Sequence, residues 1–336
     1  MALAVQVLMG FEFSDFEACV RRLPDTAAVA GFAAGVSGGP DSMALLHLLS
    51  RLAEKNGAVI HAYTVDHALR PESGAEAARV GEWVSGFANV RHSVLRWDGD
   101  KPRSRILEEA RAARYELIRA QMKKDGARHL FIAHHRDDQA ETFLIRLAKG
   151  SGLDGLAAMA SVQDVRDITI LRPLLDVPKD DLIAYCNANG IPYVDDPTNE
   201  NERYLRPRLR AARTVLEEEG LTSKRLSATA ARIARARAAL EVLSAALFEE
   251  AVLKRFEDGC AFDLARLRSA PEELTLRVLL KAMDEINPRE DYPPRLEKAE
   301  ALCARIRDDE SFKGATLGGC IFSLDGGRAE LQIVKE

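Results

Sequence analysis

Residues 29–49 read VAGFAAGVSGGPDSMALLHLL, and this stretch decides the fold. Its apolar first part, residues 29–36, is typical of a buried strand, and the leucines after Asp41 follow the spacing of a helix. Between them stands Ser-Gly-Gly-Pro-Asp-Ser, residues 37–42. Glycine lets the backbone approach a ligand, and proline suits the first helical turn. We therefore predict that the amides of the loop and first turn, with the hydroxyls of Ser37 and Ser42, face one point and bind an anion such as phosphate.

The alternation of strands and helices continues to about residue 150. It predicts a mostly parallel sheet with helices on both faces, and in such sheets ligands bind beyond the carboxyl ends of the strands. Polar clusters at residues 37–39, 66–67 and 134–138 fall at those ends. The other candidate strands are residues 58–65, 90–95 and 129–133, and helices are expected to start near Asp41, Pro71, Ser104 and Asp137.

A second group of polar residues runs from His134 to Arg146. In a helix that begins at Asp137 or Asp138, the side chains of Asp138, Glu141 and Thr142 share one face. Carboxylates beside an anion-binding loop indicate Mg²⁺ that enters with phosphates. Capping of the helix by its two aspartates is the alternative, and a zinc site is disfavoured because no third ligand has helical spacing.

Two motifs in the chain suggest other enzyme classes. Residues 35–39 fit the Gly-x-Ser-x-Gly nucleophile elbow of serine hydrolases, with Asp66 and His134 completing a triad, but almost no sheet precedes them. Residues 150–155 match Gly-x-Gly-x-x-Gly, yet they follow a helix where a dinucleotide site requires a strand. The string Gly-Lys is absent, which excludes a Walker A loop.

The charge of the chain is unevenly distributed. It has 336 residues and a net charge of −5, but residues 203–237 carry ten basic residues against three acidic ones. Arginines at every second position, Arg206, Arg208 and Arg210, suit bidentate contacts with phosphates. This segment indicates a nucleic-acid partner, and a solvated basic face is the alternative.

The composition changes near residue 216, where we place a domain boundary. Leu226, Ile233, Leu240 and Leu247 recur every seven residues and predict a long helix from Thr222 or Ser223, with a coiled coil as the alternative. Residues 320–324 and 328–334 flank Asp-Gly-Gly and predict a hairpin. We expect an α/β domain over residues 1–215 and a smaller, mainly helical domain over residues 216–336 that ends in a β-hairpin.

The five cysteines are scattered and form no Cys-x-x-Cys pair, which favours reduced thiols and a cytoplasmic location. The first residues lack the basic segment of a signal peptide, and no apolar run approaches the length of a membrane span.

In combination these motifs resemble the N-type PP-loop ATPases, and among them the tRNA(Ile)-lysidine synthetase family. The resemblance is carried by SGGPDS at 37–42, VDHALR at 65–70, EAR at 109–111, RY at 114–115, residues 134–142, RPLL at 172–175 and DPTN at 196–199. It implies an adenine nucleotide α-hydrolase-like domain. It also implies a reaction in which ATP adenylates the C2 oxygen of the wobble cytidine in a CAU-anticodon isoleucine tRNA, after which free lysine displaces AMP. A PP-loop tRNA thiolase is the alternative.

The resemblance also implies roles for individual residues. Asp41, Asp138 and Glu141 are expected to be catalytic, with Mg²⁺ on Asp41 and Asp138. ATP is expected to contact Ser37, Gly38, Gly39, Pro40, Asp41, Ser42, Asp66, His67, Arg70 and Arg111. The tRNA is expected to contact Arg146, Arg206, Arg208, Arg210, Lys224 and Arg225. Pro207 departs from the family pattern Arg-Asn-x-x-Arg, since it stands where the asparagine is expected. The extra C-terminal domain of longer members is also missing, so we expect fewer or differently placed tRNA contacts.

Overall fold

The computed structural model describes residues 10–23, 31–99, 101–102, 105–194, 205–288, 294–309, 311–325 and 329–336. The chain divides into two compact units. The first comprises Met1–Ile145 and Ala158–Ala230, and the second comprises Arg146–Ala157 and Ala231–Glu336.

A six-stranded sheet forms the centre of the first unit, in the order β3-β2-β1-β4-β6-β5. Its strands are β1 (Gly31–Gly35), β2 (Val59–Asp66), β3 (Val90–Arg96), β4 (His129–Phe131), β5 (Val162–Val165) and β6 (Ile168–Leu171). Neighbouring strands pair in parallel except β5, which is antiparallel to β6. The predicted parallel α/β fold is confirmed, and the β5–β6 hairpin is an addition that we did not predict.

The helices that lie wholly in the first unit are α1 (Phe13–Arg21), α2 (Pro40–Asn56), α3 (Ser73–Val84), α4 (Ile106–Asp125), α7 (Lys179–Ala188), α8 (Leu205–Ala211) and α9 (Arg213–Glu218). Helix α5 (Arg136–Ala148) begins in this unit, and the short α6 (Leu153–Leu156) belongs to the second. The observed starts lie within two residues of those predicted, the usual uncertainty of helix ends. Residue 104, one predicted start, lies outside the described residues.

Two apolar cores cover the two faces of this sheet. Successive residues of a strand point to opposite faces. Accordingly Phe32 packs with α1, α2, α3 and α7, whereas the next residue, Ala33, packs with Ile118 and Met122 of α4. The carboxyl ends of the strands, which carry the predicted site, therefore lie between two packed layers.

The second unit has a sheet of its own. Its five strands pair antiparallel in the order β7-β8-β11-β10-β9 and pack against α12 and α13 through residues such as Phe262, Leu279 and Ile306. The strands are β7 (Val252–Arg255), β8 (Gly259–Asp263), β9 (Gly314–Leu317), β10 (Cys320–Asp325) and β11 (Glu330–Lys335). Its helices are α11 (Leu264–Ser269), α12 (Glu272–Ile286), α13 (Leu296–Asp308) and the part of α10 (Ser223–Ala251) that follows Ala230.

The sequence predicts the second unit only in part. The long helix begins at Ser223 as expected, and the predicted hairpin is formed by β10 and β11, although its turn at 326–328 lies outside the described residues. This hairpin belongs to a five-stranded sheet that we did not predict. The compact units divide within α10, after Ala230, while a functional division at residue 215 stays a prediction. Within the described ranges, no helix is both long and apolar enough to cross a membrane.

Candidate active site

The loop between β1 and α2 is held by Ser42. Its hydroxyl accepts hydrogen bonds from the amides of Ser37 and Gly38, both at 3.2 Å, and donates to the Gly39 carbonyl at 2.9 Å. Gly38 has a φ of +87°, and a Cβ there would lie 2.5 Å from Val80 Cγ2. A residue with a side chain is therefore strained at Gly38 both by its conformation and by lack of space.

This arrangement corrects one part of the expected anion site. The amides of Ser37 and Gly38 point at the Ser42 hydroxyl, because that buried oxygen needs donors. The first hydrogen bond of α2 runs from the Met43 amide to the Gly39 carbonyl, so the earlier amides of the first turn have no partner within the helix. These amides remain available to an anion, and Ser37 is exposed beside them.

Asp41 and Asp138 converge on one histidine. His135 Nε2 lies 3.5 Å from Asp41 Oδ2 and 3.4 Å from Asp138 Oδ2, and Asp137 Oδ2 lies 3.6 Å from its Nδ1. Burial works to lower the pKa of His135, but the surrounding aspartates outweigh it and raise the pKa to about 10. A protonated His135 thus balances the negative charge of both carboxylates.

The two carboxylates also suit Mg²⁺ that is shared with phosphates. Across the described ranges, no three His, Cys, Asp or Glu side chains converge as ligands of a metal. Magnesium bound with a nucleotide needs only one or two protein carboxylates. Asp41 Oδ1 is buried and has no hydrogen-bond partner among the described residues, and Asp138 is buried beside it. The capping alternative holds for one of the two aspartates: Asp138 accepts a hydrogen bond from the His135 amide at 3.1 Å, whereas Asp137 accepts one from the Lys179 amide at the start of α7, at 3.0 Å.

Glu141 lies on the same helix but has different partners. Its carboxylate accepts two hydrogen bonds from Arg210, at 2.5 and 3.3 Å, and Arg206 Nε lies 3.9 Å away. Arg213 of α9 forms a single ion pair with Asp137, at 3.4 Å. Arg206 and Arg210, which were expected to contact tRNA, thus attach α8 to α5 in this structure. Pro207 is accommodated because it falls in the first turn of α8, where its missing amide has no helical partner.

The residues at the end of β2 line a pocket. Asp66 accepts a hydrogen bond from the Ala68 amide at 2.8 Å, and its hydrogen bonds overcome the effect of burial and lower its pKa. A pocket of ≈ 540 Å³ is lined by Asp66, Arg70, Ser73, Gly74 and Arg96 among others. Arg70 is paired with Glu76 at 3.0 Å, and His67 turns toward Arg114 at 3.3 Å.

The other predicted residues are spread more widely. Arg111 is exposed on α4, and Arg146 donates to the Gly155 carbonyl at 2.7 Å. Arg208, Lys224 and Arg225 are exposed. The DPTN segment at 196–199 lies outside the described residues.

Residue types and spacing did not identify Arg172 as a site residue. It is buried, and its Nε donates to His134 Nδ1 at 3.1 Å. The one sequence signal for Arg172 is that it begins the RPLL motif, residues 172–175, which carries part of the family resemblance. The elbow alternative gains no support, since Ser37 contacts Ser42, and Asp66 and His134 have separate partners.

Comparison with known proteins shows the family to which the chain belongs. A family model described as a PP-loop domain matches residues 14–218. The chain is 41% identical to a tRNA(Ile)-lysidine synthase of Methylobacterium sp. (strain 4-46), over 94% of this chain and 93% of that protein. It is 40% identical to a tRNA(Ile)-lysidine synthase of Bradyrhizobium sp. (strain BTAi1), over 90% of this chain and 83% of that protein.

Among solved structures, the chain is similar to a U34-tRNA thiolase from Methanococcus maripaludis with its [4Fe-4S] cluster. The TM-score is 0.56, and the match covers 66% of this chain and 78% of that one. Sequence identity is 16%, so this likeness concerns the fold alone. On the family model and the long matches at about 40% identity, the chain belongs to the tRNA(Ile)-lysidine synthase family and is a ligase of the PP-loop class.

Proposed function

We propose that this protein ligates free lysine to C2 of the wobble cytidine in a CAU-anticodon isoleucine tRNA, in the cytoplasm and at the expense of ATP. The cytidine C2 oxygen attacks the α-phosphorus of ATP, and pyrophosphate leaves. The ε-amine of lysine then attacks C2, and AMP departs with the former C2 oxygen. The main support is the convergence of Asp41 and Asp138 on His135 beside the PP-loop, in a chain of this family.

The loop and the first turn of α2 would hold the leaving pyrophosphate. The unpaired amides of the turn and the positive end of the helix dipole oppose the negative charge that develops there. Ser42 accepts hydrogen bonds from the amides of Ser37 and Gly38 and thereby fixes the conformation of the loop. The unpaired amides of the first turn therefore need no rearrangement when the reaction occurs. Gly39 leaves room for a ligand, since the nearest atom to a Cβ there would be 3.7 Å away.

Asp41 and Asp138 would hold Mg²⁺ together with the phosphates of ATP. When bound, the ion would neutralise charge on the phosphate oxygens. His135 keeps both carboxylates in place and offsets their mutual repulsion when no substrate is present.

Glu141 and Asp138 are the candidates for the lysine ammonium group. Both are buried and lie one turn apart on α5. In this structure Arg210 supplies the positive charge that faces Glu141. An ammonium group at this position would compete with the guanidinium, or would use Asp138 instead.

The tRNA would contact basic residues of α8 and α10. Arg208, Lys224 and Arg225 are exposed, as are Arg232 and Arg235 further along α10. Such contacts bind the phosphate backbone and are sensitive to salt.

A tRNA thiolase with a reactive cysteine is less well supported. Cys186, near the loop, is buried and donates to the Pro40 carbonyl at 3.3 Å. Burial and the charge of Asp41 raise the pKa of its thiol to about 11, so little thiolate would be present at neutral pH.

The proposal is tested by incubating the protein with ATP, Mg²⁺, radiolabelled lysine and either the isoleucine or the methionine tRNA that carries CAU. Label should enter only the isoleucine tRNA, and Asp41→Ala should abolish it. Asp164→Ala, an exposed aspartate on β5, is the matched control and should retain activity. Pyrophosphate release without lysine in the RNA would indicate another nucleophile, and absence of ATP turnover with either tRNA would refute the proposal.

A further inference from the structure

A row of aromatic and cationic side chains lies beyond the ends of β2 and β3. The ring of Trp97 meets the ring of His67 edge to face, with centroids 6.0 Å apart, and Lys101 Nζ lies 4.0 Å from the centroid of Trp97. We call the set Trp97, His67, Lys101, Arg111, Arg114 and Tyr115 the Trp97 row. Arg114 links His67 to α4 at 3.3 Å, and Arg111 lies 5.5 Å from the centroid of the Tyr115 ring.

The Trp97 row is on the α4 side of the sheet. Tyr115 packs against the core that contains Ile118 and Met122 of α4. The pocket at Asp66 is on the α3 side, since it is lined by Ser73 and Gly74 at the start of α3, a helix whose Val80 packs in the other core. The family resemblance assigns two members of the row, His67 and Arg111, to ATP. A nucleotide held by the loop and this pocket would leave Trp97, Lys101 and Arg114 available to another ligand.

The charge of the Trp97 row favours a polyanion. Within the described part of the chain, no carboxylate forms an ion pair with Lys101, Arg111 or Arg114. Burial and the nearby Arg114 lower the pKa of His67 to about 4, so this ring is neutral at physiological pH. Partly exposed rings between cations are the arrangement that binds single-stranded nucleic acid, because bases stack on the rings and phosphates meet the cations.

We infer that the Trp97 row stacks an unpaired base of the anticodon loop and contacts its flanking phosphates. This inference rests on the proposed function, since it assigns the RNA substrate to one surface. It places the recognition of unpaired RNA on the catalytic unit itself, apart from the backbone contacts proposed for α8 and α10.

The chain has two tryptophans, Trp83 and Trp97, which makes a direct optical test feasible. Trp83 packs against the apolar core of the first unit, so Trp83→Phe should preserve the fold and leave Trp97 as the only tryptophan. This protein is titrated with a synthetic anticodon stem-loop that carries a CAU loop, and with the same strand annealed to its complement. Stacking predicts quenching of Trp97 fluorescence by the stem-loop and much less by the duplex at equal phosphate concentration.

Substitutions in the full-length protein extend the test. Trp97→Leu should weaken stem-loop binding about 5- to 160-fold, the range for loss of one base–aromatic stack. The affinity is measured by fluorescence anisotropy of labelled RNA. Trp97→Phe keeps an aromatic face and should restore most of the affinity. ATP affinity and the urea midpoint should stay close to those of the parent in both variants, which separates loss of stacking from loss of fold.

The outcomes distinguish this inference from the proposed function. Stem-loop binding without quenching, or equal binding by Trp97→Leu, would overturn the Trp97 row as a base platform while leaving the ligase proposal intact. Quenching by ATP alone would instead assign the Trp97 row to adenine. Absence of any RNA binding at low salt would overturn both.

Discussion

At the scale of single residues, the conformation of the PP-loop depends on Ser42. Removing its hydroxyl leaves the amides of Ser37 and Gly38 without their acceptor. We expect Ser42→Ala to lower the free energy of unfolding by about 1–3 kcal/mol and to raise the KM for ATP. Ser50→Ala is the matched control, because Ser50 is a buried serine of the same helix that bonds Asn89 at 2.7 Å. Ser50→Ala should lower the free energy of unfolding without raising the KM for ATP. If it raised that KM as much as Ser42→Ala does, this role of Ser42 would be contradicted.

The two glycines of the loop differ in what they tolerate. Gly38→Ala must adopt a left-handed conformation and meets Val80, so its free energy of unfolding should fall by about 1–2 kcal/mol or more. Gly39 has a φ of −71° and open space, so Gly39→Ala should unfold at nearly the urea concentration of the parent. If both variants lost the same free energy of unfolding, neither the left-handed conformation of Gly38 nor its contact with Val80 would account for the difference expected here.

The half-buried His134 should carry no charge at neutral pH. Burial lowers its pKa to about 4, neighbouring arginines add to the effect, and Arg172 donates to its Nδ1, which places the proton on Nε2. Because the unfolded chain binds this proton near pH 6.5, stability is full above that pH and falls as the pH drops toward 4. NMR titration should give a low pKa and the Nε2–H tautomer, and Arg172→Gln should raise that pKa. A pKa near 6.5 in the folded protein would refute this.

At the scale of elements, the attachment of α8 to α5 depends on Glu141 and Arg210. A double-mutant cycle with Glu141→Gln and Arg210→Gln should give a coupling energy on the order of 1 kcal/mol, since the contact is bidentate and Glu141 is buried. The control is the i,i+4 pair Arg237 and Glu241 on α10, at 3.1 Å, in which Arg237 is half-buried and Glu241 is exposed, and about 0.3–0.5 kcal/mol is expected. Equal coupling in the two cycles would mean that α8 is held by other contacts.

The sequence predicts elements with clear periodicity and misses those without it. Strand β1 and helix α2 follow from an apolar run and a loop rich in glycine. Strands β7 and β8 are four and five residues long, and β7 includes Lys254 and Arg255, so these two strands of the second unit show no alternation that could be recognised. Contacts between residues far apart in the sequence could not be predicted either. That Arg210 bonds Glu141, 69 residues away, depends on tertiary folding and not on local spacing.

At the scale of the whole molecule, the basic segment should determine the salt dependence of tRNA binding. Arg232→Gln and Arg235→Gln remove exposed charges of α10, and each should reduce the slope of log K against log salt by about 0.7–0.9 if the residue meets a phosphate. Arg266→Gln is the control, because Arg266 of α11 is paired with Glu250 of α10 at 3.0 Å. Unchanged slopes in the α10 variants would remove that helix from the tRNA interface.

Transfer of oxygen from the RNA tests the central claim, adenylation of the wobble cytidine, most directly. A tRNA ligated from synthetic halves carries ¹⁸O at the C2 oxygen of that cytidine, and the products formed with ATP and lysine are analysed by mass spectrometry. We predict ¹⁸O in AMP and none in pyrophosphate, with lysine joined to the labelled nucleoside. Retention of ¹⁸O in the RNA after lysine addition, or its appearance in pyrophosphate, would contradict the adenylated intermediate.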